Sequence, residues 1–393
     1  MPIKVTLPDG SARLYEQPVS ALKVAEDISP RLAEAAICAE LDGVLVDLGH
    51  DIDRDAKLVL HTFKTDAGKD IYWHSTAHLM AQAVKQLFPD VKVTIGPSIE
   101  QGFYYDFDRD KPFTEEELEQ IEECMVSLSK QNLPYTRREL SKAEAMEIFS
   151  AMGEDYKLEI LNEIPDDDII STYTQGDFID LCRGPHIPHT GKIKAVKLLK
   201  SSGAYWRGDE KNKMLQRIYG ISFPTKKELE EYLDFLKQAA LRDHRKLGKD
   251  LDLFSINEDI GPGLVLWHPN GAMIRHLIET YWKEEHLRHG YKLVYSPHVG
   301  RSNLWETSGH LGFYKENMYA AMDVEGQDYY IKPMNCPFHI AIYNSNLHSY
   351  RELPIRLAEL GTVYRYERSG VLHGLMRVRG FTQDDAHIIC TPD

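Results

Sequence analysis

The chain has 393 residues, of which 42% are hydrophobic, 10% aromatic and 27% charged. This length predicts two or three domains with buried cores, and the composition excludes collagen, coiled coil, wholesale disorder and a disulfide-stapled miniprotein. The 46 Lys and Arg residues against 61 Asp and Glu residues give a net charge of −15. Such a charge excludes a protein that coats nucleic acid by bulk electrostatics, although a local basic surface remains compatible with RNA binding.

Cysteine usage and hydropathy predict the compartment. The five cysteines are scattered, without a CxxC pair, which is typical of reduced thiols or isolated metal ligands rather than of a disulfide framework. No apolar stretch reaches the roughly 18–20 residues of a membrane span, and the N-terminus has no signal-peptide apolar region. We therefore expect a soluble cytoplasmic protein that does not contact membranes.

Residues 1–62 are predicted to form a small β-rich unit. Apolar residues alternate over 3–7 before the turn signal Asp9-Gly10, and a short helix is expected over 21–28. A second Asp-Gly, at Asp42-Gly43, separates two further apolar runs. This order of strands and helix predicts a β-grasp module with a structural or docking role.

Residues 63–224 have a mixed α/β pattern. Apolar residues at helical spacing predict a helix over Ser75–Phe88, and a second helix over Thr114–Lys130 carries three glutamates in its first turn. A long helix is then predicted over 225–248, where Thr225 and Glu228 have the spacing of a capping box. We expect this helix to be a rigid linker to a third region, residues 249–393.

Two pairs of metal-ligand residue types form the first candidate site. His74 and His78 lie four residues apart at the predicted start of a helix, and Cys182 and His186 flank a Gly-Pro turn. The segments 102–106 and 180–182, with Asp180, contribute polar groups to the same expected cavity. Three interpretations stay open: a tetrahedral zinc site, metal-free acid–base chemistry on a bound ester, or buried histidines that satisfy structural hydrogen bonds.

An arginine-rich hairpin is the second candidate site. Residues 351–383 contain six arginines and no lysine, and arginine binds phosphate bidentately and stacks on aromatic rings. A strand over 362–367, a loop, and a returning strand over 375–383 would let Arg365 and Arg377 bind phosphates while Phe381 stacks on a base. The alternative is an ordinary exposed hairpin whose arginines pair with acids such as Glu359 and Glu367.

The third region, residues 249–393, contains candidate zinc ligands. Cys336 is held between Pro333 and Pro337, in a position that favours a rigid loop, and His387 follows the hairpin. A cysteine and a histidine supply half of a tetrahedral zinc site.

The motifs together resemble the threonyl-tRNA synthetases, a family of class II aminoacyl-tRNA synthetases. Most specific are 308–318, 332–337 and 365–387, and the resemblance covers the chain in collinear order. It implies an α+β multidomain fold: a TGS β-grasp domain over 1–62, an α/β editing domain over 63–224, a linker helix over 225–248, and part of a class II antiparallel-sheet catalytic domain over 249–393. Residues 266–297 resemble motif 1, a dimer element. Its apolar stripe would otherwise indicate core packing and comprises Ile274, Leu277, Ile278, Tyr281 and Trp282.

The resemblance also assigns site residues. It implies that Cys336 and His387 are two of three protein ligands of one Zn²⁺ ion, with the third beyond residue 393, and that Asp385 accepts a hydrogen bond from the threonine hydroxyl. The remaining roles concern Mg²⁺-ATP and the aminoacyl pocket. They are Arg365 at the α-phosphate, Arg377 at the γ-phosphate, Phe381 stacked on adenine, Glu367 in contact with adenine, and Gln383 and Met334 lining the aminoacyl pocket.

The implied activity is ATP-dependent ligation of L-threonine to tRNA(Thr) through a threonyl-adenylate, by a homodimer. In such an enzyme the pocket of His74, His78, Asp180, Cys182 and His186 would hydrolyse mischarged seryl-tRNA, which favours metal-free chemistry there. Motif 3 and an anticodon-binding domain are absent from the sequence, so we expect a fragment with little synthetic activity. The alternative is a stand-alone seryl-tRNA deacylase or an RNA-binding regulator with a synthetase remnant.

Overall fold

The computed structural model describes residues 2–166 and 168–392. The chain divides into two compact units, residues 1–234 (unit 1) and residues 235–393 (unit 2). Among the described residues, no helix combines the length and apolar character needed to cross a bilayer.

Unit 1 begins with the predicted β-grasp arrangement. Its main sheet has the order β2-β1-β7-β4-β5, in which β1 and β7 are parallel and the other pairs are antiparallel. The helix predicted over 21–28 is confirmed, and both Asp-Gly turns join antiparallel strands. The elements are β1 Ile3–Thr6, β2 Ala12–Tyr15, β3 Val19–Ser20, α1 Ala21–Ile28, α2 Pro30–Ala35, β4 Ala36–Leu41, β5 Val44–Val46, β6 Asp51–Ile52 and β7 Ala56–Thr62.

The rest of unit 1 packs two long helices, α3 and α4, against an antiparallel sheet of order β14-β15-β10-β8, with β9 paired to β10. A smaller sheet, β11-β12-β13, packs with α5 and α6. The elements are α3 Asp66–Leu87, β8 Lys92–Val93, β9 Ser98–Ile99, β10 Gly102–Asp108, α4 Glu115–Lys130, β11 Thr136–Leu140, α5 Lys142–Ala151, α6 Asp155–Glu163, β12 Ile170–Gln175, β13 Phe178–Leu181, β14 Ala195–Tyr205 and β15 Met214–Phe223. Helix α7, Lys226–Leu241, begins in unit 1 and ends in unit 2.

Helix α3 starts nine residues before the predicted position. Thr65 caps it by accepting a hydrogen bond from the backbone N–H of Gly68. The first turns are stabilised by tertiary contacts, because Tyr72 donates to the Lys192 carbonyl at 3.1 Å and Trp73 donates to the Ser222 carbonyl at 2.9 Å. The prediction that His74 and His78 lie at a helix start is therefore wrong: they lie within α3.

The single linker helix predicted over 225–248 is also wrong. Helix α7 ends at Leu241, and Asp243 caps a new helix, α8, by accepting from the Arg245 backbone N–H at 2.8 Å. Gly248 lies inside α8 instead of beyond its end. It is buried against the Phe254 ring, where a Cβ would approach to 2.3 Å, so the glycine permits close packing.

Unit 2 contains three small sheets. They have the orders β18-β22-β23, β19-β21-β20 and β16-β17. Only the β18–β22 pair is parallel among these. The elements are α8 His244–Asp250, β16 Phe254–Ile256, β17 Val265–Trp267, α9 Pro269–Arg288, β18 Lys292–Leu293, β19 Val299–Arg301, α10 Ser302–Thr307, α11 His310–Phe313, β20 Met322–Val324, β21 Gln327–Ile331, α12 Cys336–Asn344, β22 Ile355–Tyr364 and β23 Gly380–Ile389.

The strands of the arginine-rich hairpin are longer and end earlier at the loop than predicted. Strand β22 ends at Tyr364 and β23 begins at Gly380. One further cross-hairpin bond joins the Arg365 N–H to the Arg379 carbonyl, but the Tyr366 N–H donates to the Asn317 carbonyl and the Arg379 N–H donates to the Gly263 carbonyl. Arg365, Glu367 and Arg377 consequently lie in the loop region and not on paired strands.

The apolar stripe of α9 is not core. Four of its predicted members are exposed by 48–67%. They are Ile274, Leu277, Ile278 and Tyr281.

Gly68 provides a stability test of the α3 start. A Cβ at this position would lie 2.0 Å from the Thr62 carbonyl oxygen, so we expect Gly68→Ala to destabilise the chain by about 1–3 kcal/mol through overpacking. At an exposed helical site the same change would stabilise by up to about 1 kcal/mol. Urea unfolding monitored by tryptophan fluorescence measures the difference. Gly49→Ala is the control, because no described heavy atom lies within 4 Å of its added Cβ, and a stability gain in Gly68→Ala would contradict the prediction.

Candidate functional site

Four predicted site residues of unit 1 lie together. His74 and His78 project from adjacent turns of α3, and Cys182 and His186 come from the segment that follows β13. One nitrogen or sulfur atom from each residue lies within 4.8 Å of those of the other three. We call these four residues the histidine–cysteine cluster.

Hydrogen bonds orient the imidazoles of this cluster. The Nδ1 of His74 is 3.2 Å from the Gly96 carbonyl oxygen, to which it donates. The Nδ1 of His186 is 2.9 Å from the Ser75 hydroxyl oxygen, whose own proton goes to a carbonyl of α3. Both rings therefore present an unprotonated Nε2 to the Cys182 sulfur, at 3.0 Å from His74 and 3.3 Å from His186.

Burial keeps the cluster uncharged. It lowers the pKa of His74, and lowers the pKa values of His78 and His186 further. It raises the pKa of Cys182 to about 12, so without a bound cation the residue is a thiol. A neutral thiol is a poor nucleophile, whereas a neutral imidazole is a competent base.

Two charged side chains, Asp180 and Lys157, lie next to the histidine–cysteine cluster. Asp180 forms an ion pair with Lys157 of α6, and both are almost fully buried. The Tyr105 hydroxyl donates to Asp180 Oδ2 at 2.7 Å and accepts from Lys157 Nζ at 3.2 Å. His78 Nδ1 is 3.5 Å from Asp180 Oδ2. Tyr105 comes from the segment predicted to line the cavity, but Lys157 was missed because a lysine on a surface-type helix carries no sequence signal of burial.

A cavity of about 990 Å³ adjoins the cluster. Its lining includes His74, His78, Asp180 and Cys182, but not His186. Apolar side chains of α6 and the following loop form another part of the lining, together with two arginines. These residues are Ile160, Ile164, Ile169, Arg137 and Arg183. The volume is at the upper end of the range for small-molecule sites, much more than one amino acid requires.

In unit 2 the hairpin residues line a second cavity, of about 970 Å³. The Arg365 guanidinium lies 5.1 Å from the Phe381 ring centroid, and Arg377 pairs with Glu367 at 3.0 Å. All four residues line the cavity, so the structure places the predicted phosphate-binding and stacking groups around one space.

The predicted zinc ligands form a separate group. One donor atom each of Cys336, Asp385 and His387 lie within 4.8 Å of one another, and we call these residues the Cys336 cluster. A thiol, an imidazole and a carboxylate are the donor types that Zn²⁺ takes in proteins, so the residues present fit that ion. Asp385 and His387 share a face of β23 with Phe381 and Gln383, because side chains alternate along a strand.

The predicted aminoacyl-pocket residues do not line the second cavity. Gln383 pairs across the sheet with Gly361, and the Met334 sulfur is 3.2 Å from His310 Nε2. Asn335 was not predicted: its Nδ2 donates to Asp385 Oδ2 at 3.0 Å, and it is fully buried. Gly361 makes room for Asn335, since a Cβ there would lie 2.3 Å from its amide nitrogen.

Three family models match the chain. They are the TGS domain at residues 3–62, the threonyl and alanyl tRNA synthetase second additional domain at 170–219, and the tRNA synthetase class II core domain (G, H, P, S and T) at 319–393. The matches follow the predicted domain order, while the predicted boundaries themselves stay predictions.

Curated relatives match nearly the whole chain. It is 57% identical to the threonine–tRNA ligase of Nitrosococcus oceani over 390 residues, which are 99% of this chain and 60% of that protein. It is 56% identical to the threonine–tRNA ligase of Geobacter sp. over 391 residues, or 61% of that protein. A solved structure titled as the RNA binding domain of threonyl-tRNA synthetase from Cryptosporidium parvum is 46% identical over 38% of each chain, with a TM-score of 0.37. The chain thus spans about 60% of the length of the relatives that it matches, and over that span it is similar to threonine–tRNA ligases.

Proposed function

We propose that this chain supplies the ATP and threonine sites of an enzyme that ligates L-threonine to tRNA(Thr) through a threonyl-adenylate, and that unit 1 hydrolyses mischarged seryl-tRNA. The observation that carries the first activity is the placement of Asp385 and His387, which cluster with Cys336, on the same face of β23 as Phe381. That face joins a site for a hydroxylated amino acid to a nucleotide site. The histidine–cysteine cluster and its cavity carry the second activity.

In the proposed ATP site, positive charge and stacking come from the hairpin. Arg365 binds the α-phosphate, while Arg377 exchanges Glu367 for the γ-phosphate and frees that carboxylate to contact adenine. Phe381 stacks on the base, and Mg²⁺ offsets the remaining phosphate charge. The threonine carboxylate attacks the α-phosphorus and pyrophosphate leaves, and the terminal ribose hydroxyl of tRNA then takes the acyl group.

In the proposed threonine site, Cys336 and His387 would hold Zn²⁺. When bound, the ion supplies a Lewis acid for the amino and hydroxyl groups of threonine. Asp385, oriented by Asn335, accepts a hydrogen bond from the threonine hydroxyl, and Met334 and Gln383 line the pocket. Valine fails because it would leave these polar groups unpaired.

Serine also has a hydroxyl and differs from threonine by one methyl group. That methyl group is worth only about 1–3 kcal/mol of discrimination, so a hydrolytic step is physically necessary. In the proposed hydrolysis His74 Nε2 accepts a proton from the attacking water, and the protonated ring returns a proton to the departing ribose oxygen. The Lys157 ammonium, held by Asp180 and Tyr105, favours the negative charge that develops on the acyl oxygen.

Two features of the structure support the proposed homodimer and the proposed binding of tRNA. The exposed apolar stripe of α9 has the composition of a subunit interface, which supports the proposed homodimer. Arg137 and Arg183 at the cavity of unit 1 supply cations for the phosphates of the tRNA end. A stand-alone deacylase, the alternative function, would hydrolyse seryl-tRNA without catalysing threonine-dependent exchange of pyrophosphate into ATP.

The ATP site is tested by Arg365→Ala. Losing a charged hydrogen bond worth about 1.5–3 kcal/mol should weaken Mg²⁺-ATP binding by roughly 10–150-fold in calorimetric titration of the chain. Arg351→Ala removes an exposed arginine that contacts Tyr350 outside the cavity, and should bind ATP as the unmodified chain does. Equal affinities in all three proteins would exclude Arg365 from the site.

The neutral imidazoles predict a pH dependence of stability. Because burial lowers the pKa values of His74, His78 and His186, the unfolded chain takes up protons below about pH 6.5 that the folded chain does not. The free energy of unfolding should therefore have its full value above about pH 6.5. As the pH falls below about 6.5, it should decrease by up to about 1.4 kcal/mol per pH unit for each histidine. His78→Gln should reduce this slope in urea titrations at several pH values, whereas His50→Gln, at an exposed position, should retain it. A slope that His78→Gln leaves unchanged would contradict the assignment.

The deacylase site is tested by seryl-tRNA(Thr) hydrolysis. We expect the chain to hydrolyse this ester, and His74→Ala to slow hydrolysis by a factor of about 10²–10⁴ through loss of the base. His50→Ala is the matched control. Chelators should have little effect on metal-free hydrolysis and a large effect on a zinc site. Unchanged rates in both His74→Ala and His186→Ala would return these residues to a structural role.

A further inference from the structure

His339 connects the predicted zinc ligand His387 to a buried carboxylate. It lies one turn after Cys336 on α12 and is completely buried. Its Nδ1 is 2.8 Å from His387 Nδ1, and its Nε2 is 2.9 Å from Glu359 Oε2. Each ring nitrogen of His339 therefore has one partner, and one of those partners belongs to the Cys336 cluster.

Glu359 determines the direction of this chain of hydrogen bonds. It is 3% exposed, accepts the Ser296 backbone N–H at 2.8 Å and the Ser296 hydroxyl, and lies 3.7 Å from Lys332 Nζ. Burial raises the pKa of Glu359, but the hydrogen bonds from Ser296 and His339 outweigh it and hold the pKa below its ordinary value. An ionised carboxylate only accepts hydrogen bonds, so His339 donates through Nε2.

The hydrogen bond between His339 and Glu359 also determines which nitrogen of His387 carries its proton. In the tautomer whose single N–H is the Nε2–H donated to Glu359, the lone pair of His339 lies on Nδ1, and this nitrogen accepts the hydrogen bond from His387 Nδ1–H. With its proton on Nδ1, the His387 ring carries its lone pair on Nε2. A metal-binding histidine requires this state: one nitrogen free for the ion and the other donating to a fixed acceptor.

We propose that His339 is a positioning residue for metal binding, which passes the orientation set by Glu359 to His387 and fixes the ring tautomer that ligates the ion. The inference rests on the zinc site of the proposed function. A histidine that merely fills a core would need no defined direction of hydrogen bonding at His387. The segment 335–339 would then serve the whole cluster, because it supplies Cys336, orients Asp385 through Asn335 and orients His387 through His339.

Cobalt titration of the 393-residue chain tests the metal-binding consequence. Co²⁺ bound through Cys336 gives a thiolate charge-transfer absorption, and loss of such an oriented hydrogen bond typically costs about 10–100-fold in metal affinity. We expect this loss in His339→Leu. His339→Asn retains an acceptor close to the position of Nδ1 and should recover a large part of the affinity. His348→Leu is the matched control, since His348 pairs with a carboxylate, Glu352, away from the cluster.

The tautomer itself is measured without metal. Long-range ¹H–¹⁵N spectra of the histidine-labelled chain, with His387 assigned through His387→Gln, should show the proton on Nδ1 in the unmodified chain and in His339→Asn. His339→Leu should shift it towards Nε2, while thermal unfolding verifies that each variant is folded. An unchanged His387 tautomer, or equal cobalt affinity in His339→Leu and the control, would overturn the proposal. Absence of the thiolate absorption in the unmodified chain would instead contradict the zinc site, and the tautomer would still decide the role of His339.

Discussion

A buried carboxylate must be paired, and this constraint organises both candidate sites. Removing a carboxylate from water costs several kcal/mol, which only charged or hydrogen-bonding neighbours offset. Asp180 is paired with Lys157 of α6 and accepts a hydrogen bond from Tyr105 of β10. Glu359 accepts hydrogen bonds from Ser296 and His339 and forms an ion pair with Lys332. In both places the requirements of one carboxylate determine which side chains of distant segments meet.

The two candidate sites differ in the charge of the groups that form each cluster. Lys157 neutralises Asp180, so the histidine–cysteine cluster next to it contains only neutral imidazoles and a thiol. Such a cluster suits proton transfer. At the Cys336 cluster, the Asp385 side chain lies beside a cysteine and a histidine, and such a donor set suits a metal cation. In the proposed function, similar residue types thus serve acid–base chemistry in unit 1 and metal binding in unit 2, because the local balance of charge differs.

Local signals in the sequence predicted much of the fold. Capping residues, Asp-Gly turns and apolar periodicity gave α1, α4 and the β-grasp strands, since these depend on neighbours within a few positions. The errors have two causes. The first turns of α3 depend on tertiary contacts, because Tyr72 and Trp73 bond to segments more than a hundred residues away. The break after Leu241 depends instead on a local signal that the prediction of one linker helix overlooked, the capping of a second helix by Asp243. Lys157 and His339 were missed for the same reason as the first turns of α3, because their partners are distant in sequence.

Selection by the Cys336 cluster and hydrolysis by the histidine–cysteine cluster are complementary in the proposed function. A site that binds the threonine hydroxyl rejects valine because its own polar groups would be left unpaired, yet those groups bind serine equally well. Only the methyl group distinguishes the two substrates, and enlarging the synthetic pocket or tightening it changes that difference by no more than the methyl is worth. Discrimination must then come from a second cavity with different chemistry. In the proposed function, the neutral imidazoles beside the Lys157 ammonium hydrolyse the seryl ester in a cavity with chemistry different from that of the synthetic site, so a serine error made at the first site is removed at the second.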